Sequence, residues 1–103
     1  MYKARVEKRV NQDVTDINDY TALHYELELE AAPQPGEILK DGKWYSGPLT
    51  KVIWAIDEDR FHCRVEDEVP YTQGHESFSH EWIVNTFQQE GWSIGAEKIV
   101  RLD

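Results

Sequence analysis

The side chains of this 103-residue chain that could do chemistry are four histidines, one cysteine and twenty carboxylates. The run His75-Glu76-Ser77-Phe78-Ser79-His80 looks at first like a zinc-binding helix motif. That motif sets its two histidines four residues apart, about 40° from each other on a helix, whereas a spacing of five turns them by roughly 140°. Ser77 and Ser79 would cap a helix between the two imidazoles rather than continue it. His62 and Cys63 are neighbours in a strand-like stretch and so point to opposite faces. Neither a metal site nor a cofactor is expected.

Cys63 could serve as a nucleophile beside a histidine. The hairpin register derived below turns it inward instead, where a free cysteine behaves as a small apolar group with a raised pKa. Gly36 to Trp44 (GEILKDGKW) departs from a phosphate-binding loop in having five residues between its glycines where four are needed, and no Ser or Thr after the lysine. No Gly-x-Ser-x-Gly elbow occurs. Carboxylates are so numerous that a pair placed for acid and base work has no signature of its own. A non-enzymatic role is therefore expected ahead of a catalytic one.

One aromatic residue is off its pattern. On a wheel at 100° per residue, Ile83, Val84 and Phe87 fall within a span of about 100°, with His80 in the same stripe, whereas Trp82 lies on the far side among Glu81, Asn85, Thr86 and Gln89. Either a loop such as Pro70-Tyr71 folds over it, or its indole reaches along the sheet, or it is an exposed anchor of the kind enriched at interface hot spots. The candidate binding residues are Trp82 and Tyr71, with Asp57, Glu58 and Asp59 at a hairpin tip. Those three acids read first as solvated charge and second as a docking patch. A rival site is a pocket between sheet and helix lined by Trp44, Tyr45, Trp54 and Trp92.

Eleven basic against twenty acidic residues give a net charge of −9, which repels phosphate backbones and anionic lipid. Nucleic-acid and membrane partners are not expected. Residues 1–52 carry 7 basic and 9 acidic groups, and residues 53–103 carry 4 and 11, so a basic protein partner would prefer the second half. No apolar run approaches the ~20 residues of a membrane span, and MYKARVEKRV lacks the apolar centre of a signal peptide. With a lone cysteine, these features make the cytoplasm the expected location.

The elements that must position these residues follow from periodicity. Tyr2, Ala4, Val6 and Val10 alternate with Lys3, Arg5, Glu7 and Arg9, with Lys8 the misfit on the apolar parity. Leu23, Tyr25, Leu27, Leu29 and Ala31 alternate with His24, Glu26, Glu28 and Glu30. Three glutamates on one face need cations opposite, which the first strand supplies, so the two are expected to pair antiparallel. Between them Asn11 to Tyr20 favours turns, with Val14 and Ile17 anchoring one helical turn. Asp41-Gly42 reads as a hairpin turn setting Leu39 against Trp44 and Ile38 against Tyr45, with Gly47-Pro48 ending the strand. A second hairpin with Glu58-Asp59 at its tip pairs Val52 with Val65, Trp54 with Cys63 and Ile56 with Phe61. A helix over 80–90 is specified by Ser79 as N-cap, a Phe78–Ile83 staple, Gly91 at C′ and Trp92 reaching back to Phe87. Ile99, Val100 and Leu102 suggest a final strand.

Strands, then one capped helix, then a last strand predict a single α+β domain over 1–103. Its antiparallel sheet of five or six strands packs one face on helix 80–90. The alternative is a small, partly closed β-barrel with the helix as lid. Two functions fit: a non-enzymatic protein-binding accessory module that meets a basic partner, or a small-ligand domain, catalytic or not, built on the aromatic pocket. Salt separates them, because screening weakens capture of a basic partner and leaves a dry aromatic pocket unmoved.

Overall fold

The computed structural model describes residues 1–13 and 16–95. The two period-two stretches form one long hairpin, β1 (Tyr2–Asp13) and β2 (Asp16–Leu29), paired antiparallel with Lys3 opposite Glu28 and Arg5 opposite Glu26. The expected charge matching therefore holds, with Arg5 3.9 Å and Arg60 3.5 Å from the Glu26 carboxylate. The ladder also runs through the Asn- and Asp-rich segment as far as Asp13 opposite Asp16, so no helical turn forms among its described residues. Continued pairing satisfies backbone groups at no new nucleation cost, whereas one isolated helical turn fixes many dihedrals for a single hydrogen bond. Ile17 belongs to β2, and Val14 lies outside the described residues.

The next three strands are β3 (Ile38–Asp41), β4 (Trp44–Ala55) and β5 (Arg60–Val65). Both expected hairpins form, each displaced by two residues. Asp41 faces Trp44 and Lys40 faces Tyr45, because Gly42 at φ 63° takes the first turn position that sequence had given to Asp41. In the second, Trp54 faces Phe61 and Val52 faces Cys63 across the loop 56–59, where Asp59 adopts φ 56°. A two-residue turn at Glu58-Asp59 would demand left-handed backbone of both acids, and the longer loop demands it of Asp59 alone. An even displacement leaves every side chain on its expected face. Gly47-Pro48 does not end β4. Gly47, at φ 81°, is the extra residue of a bulge between the Lys40–Tyr45 and Ile38–Pro48 pairs, and a second bulge follows between Leu49 and Lys51. Bulges bend and twist a strand, so β4 turns the corner itself.

The six strands run in the order β3-β4-β5-β1-β2-β8, where β8 is Ser93–Ile94. The sheet is mixed rather than purely antiparallel, because β1 pairs parallel with β5, Val6 beside Cys63. Direction follows from parity: the chain reverses at each of the four connections from β1 to β5, so the fifth strand runs with the first. Joining them curls the sheet into a half-barrel that stays open between β2 and β3. Across the opening Tyr25 stacks on Trp44 at 4.0 Å, and its hydroxyl donates to Asp41 Oδ2 at 2.8 Å. The partly closed barrel is thus the reading that fits. The strand suggested by Ile99, Val100 and Leu102 lies outside the described residues.

A short hairpin of β6 (Tyr71–Gln73) and β7 (Glu76–Phe78), turning at Gly74 (φ 64°), leads into α1 (His80–Gln89). Ser79 Oγ accepts from Trp82 N–H, and Trp92 N–H and Gly91 N–H donate to the Phe87 and Gln88 carbonyls, which is the Schellman pattern. Ile83 and Val84 bury against a core of Val6, Val10, Leu23, Leu39, Trp44, Leu49, Cys63, Val65 and Trp92. Lys8, on the apolar parity, is buried too. Its ammonium lies 4.3 Å from the centre of the Phe87 ring and 3.1 Å from Glu68 Oε2.

Candidate protein-interaction surface

The wheel position of Trp82 puts its ring outside the core, and the structure leaves it 47% exposed. It does not stand alone. Phe78, at the end of β7, meets it edge-on at 4.6 Å, and Tyr71, opposite Phe78 in the β6–β7 ladder, stacks on Phe78 at 4.7 Å. Tyr71 is itself 45% exposed. Tyr71 therefore reaches Trp82 through a third ring rather than folding over it, and the three make a continuous aromatic row.

Phe78 is the member sequence reasoning missed. The capping pattern pairs it with Ile83, but Ile83 is committed to the core, and Trp82 is the ring that Phe78 contacts. The two three-residue strands that pair Phe78 with Tyr71 are too short to show a period. The visible signal was the pair of aromatics flanking Gly74 at nearly equal distance.

The electrostatics of this part are one-sided. From Val65 to Gly95 the chain has no Lys or Arg and six acids: Glu66, Asp67, Glu68, Glu76, Glu81 and Glu90. Asp67 is held by Arg64 at 3.0 Å and Glu68 by Lys8, while Glu76 and Glu81, next to the row in β7 and α1, are exposed. The row thus offers exposed ring faces on a stretch of net negative charge, the combination that suits guanidinium and ammonium groups.

The acidic tip is elsewhere. Asp57, Glu58 and Asp59 precede β5 and the aromatic row follows it, so they occupy opposite ends of that strand. Glu58 is engaged by His62 at 2.9 Å and Arg60 at 2.8 Å, and these hydrogen bonds hold its carboxyl below the usual range. Asp57 and Asp59 are exposed.

The four residues of the aromatic pocket part company. Trp44 and Trp92 are buried 5.1 Å apart in the core, and Tyr45 is exposed on the other face of β4. Trp54 leans on Phe61 at 4.8 Å at the uncovered end of the sheet, where Tyr2 also meets Phe61 at 5.7 Å. Cys63 is 1% exposed, and burial pushes its thiol up to about 11, which removes it as a nucleophile at neutral pH. His80 Nε2 shares a hydrogen bond with Thr21 Oγ1 at 2.9 Å, as expected of a histidine at the edge of the apolar stripe, and His75 sits in the exposed β6–β7 turn. Among the described residues no three His, Cys, Asp or Glu side chains converge as a metal ligand set, and no helix is long and apolar enough to cross a membrane. No protein-family model, no characterised protein and no solved structure matches the chain.

Proposed function

We propose that this chain is a non-enzymatic protein-binding module that receives a basic segment of a partner on the Tyr71–Phe78–Trp82 row. The observation that carries the reading is the row itself, three rings in contact and two of them nearly half exposed, on a stretch without a Lys or Arg. A core aromatic maximises burial, whereas these rings keep faces open where a cation can lie within about 6 Å of a ring centre. Glu76 and Glu81 supply the matching charge. The tip acids Asp57 and Asp59 would steer a basic partner at long range rather than form part of the same contact.

Calorimetric titration with hexa-arginine amide at low salt tests this. Removing the ring by Trp82→Ala should weaken binding about tenfold, the size of one desolvated cation–π contact, and Tyr71→Ala should weaken it by less. Both side chains are nearly half exposed, so both variants are expected to keep the fold, which circular dichroism checks. Binding that persists unchanged in the double variant would be attraction to bulk negative charge, and the aromatic row would have no part in it.

A further inference from the structure

β2 carries a second and independent feature, on its edge. One side of β2 is paired with β1 along its length. Among the described residues the other side is paired only by β8, Leu23 with Ile94 and His24 with Ser93, together with the Gly95 N–H to Ala22 carbonyl bond of 2.7 Å. β8 runs from His24 toward Ala22, away from Tyr25. From Tyr25 to Leu29 this edge has no ladder partner among the described residues. It borders the opening of the half-barrel.

Since the Ala22 carbonyl points outward and backbone direction alternates, His24, Glu26 and Glu28 also aim their N–H and C=O groups outward. Beyond His24 the unpaired ladder groups are therefore those of Glu26 and Glu28. On the faces, Glu26, Glu28 and Glu30 are exposed and Leu27 and Leu29 half-buried. Glu28 and Glu30 have no ion-pair partner among the described residues. On its other edge the same strand already faces the complementary pattern. There β1 sets Lys3 against Glu28, Ala4 against Leu27 and Arg5 against Glu26.

We propose that the open edge of β2 takes an extended peptide of a partner protein by strand addition. The peptide runs antiparallel, with Lys or Arg opposite Glu26 and Glu28 and apolar side chains opposite Leu27 and Leu29. Main-chain bonds supply the attachment and the alternating side chains the selectivity. A second copy of this chain is disfavoured as occupant, because two β2 edges would set glutamate against glutamate.

The test uses a capped synthetic copy of residues 2–6, YKARV, titrated into the isotope-labelled wild-type chain and followed by amide NMR. Saturable shifts of the Glu26 and Glu28 amides are expected. N-methylation of the peptide's Lys and Arg amides, which face β2, should weaken binding at least about fivefold, and N-methylation of its Ala amide, which faces away, should not. Glu28→Lys should weaken binding several-fold, while Trp82→Ala should leave it unchanged, so this edge and the aromatic row fail or succeed separately. Three results would overturn the proposal. They are absence of binding at millimolar peptide, in which case the glutamates only guard the edge, indifference to N-methylation, and a dimer of the free chain with protected Glu26 and Glu28 amides.

Discussion

Lys8 gives the sharpest energetic test of the packing. Its side chain is 8% exposed and that of its partner Glu68 35%, with 3.1 Å between the charges and Phe87 and Trp92 around the ammonium. Removing the anion by Glu68→Ala leaves a cation nearly without water. Full burial of both charges would put that loss at about 3–5 kcal/mol, and a charged hydrogen bond alone is worth about 1.5–3. Because Glu68 is one-third exposed, about 2 kcal/mol is expected, or roughly 8 °C in Tm for a chain of this size. Lys8→Met keeps the volume and lets the Glu68 carboxylate return to water, so stability should change by less than about 1 kcal/mol in either direction. In the double variant the cost of Glu68→Ala should vanish. Urea unfolding followed by Trp fluorescence, read as midpoint at constant slope, measures all three. A cost above about 3 kcal/mol for Lys8→Met, or none for Glu68→Ala, would mean that the buried ammonium does not depend on Glu68.

Two further outcomes follow from backbone and burial. Gly47→Ala forces a side chain into φ 81° within β4, and thermal unfolding should show a loss of about 1–2 kcal/mol. The Cys63 thiol, raised to about 11, holds its proton in the fold and loses it more readily when unfolded, so stability should fall as pH rises through 9 toward 11. That fall should be shallower in Cys63→Ala, and native Cys63 should resist thiol reagents at pH 7 until denaturant is added.

The strands β1 and β2 were legible because apolar parity and charge parity agree, and the helix because both caps are written in local residues. Parity cannot detect an even displacement, which is why both hairpin registers came out two residues away. The parallel β1–β5 pair brings Ala4 beside Phe61, a contact with no local signature. It turned an expected antiparallel sheet into a curled mixed one. Lys8 looked like an error in the pattern because Glu68, Phe87 and Trp92 lie far along the chain. At the candidate surface Trp82 was visible from the helix wheel, whereas Phe78 became part of the row only through the unforeseen β6–β7 hairpin.

The core consumes Trp44 and Trp92 and leaves Trp82 facing outward, where the proposed basic partner would meet it. The indole N–H signals of the four tryptophans, followed by NMR during titration with hexa-arginine amide from about 20 mM to about 500 mM salt, report on it directly. Trp82 is expected to move and saturate at low salt and to move far less at high salt, while Trp44 and Trp92 stay fixed throughout. A stationary Trp82, or movement centred on Trp44 and Trp92, would contradict this placement of the partner.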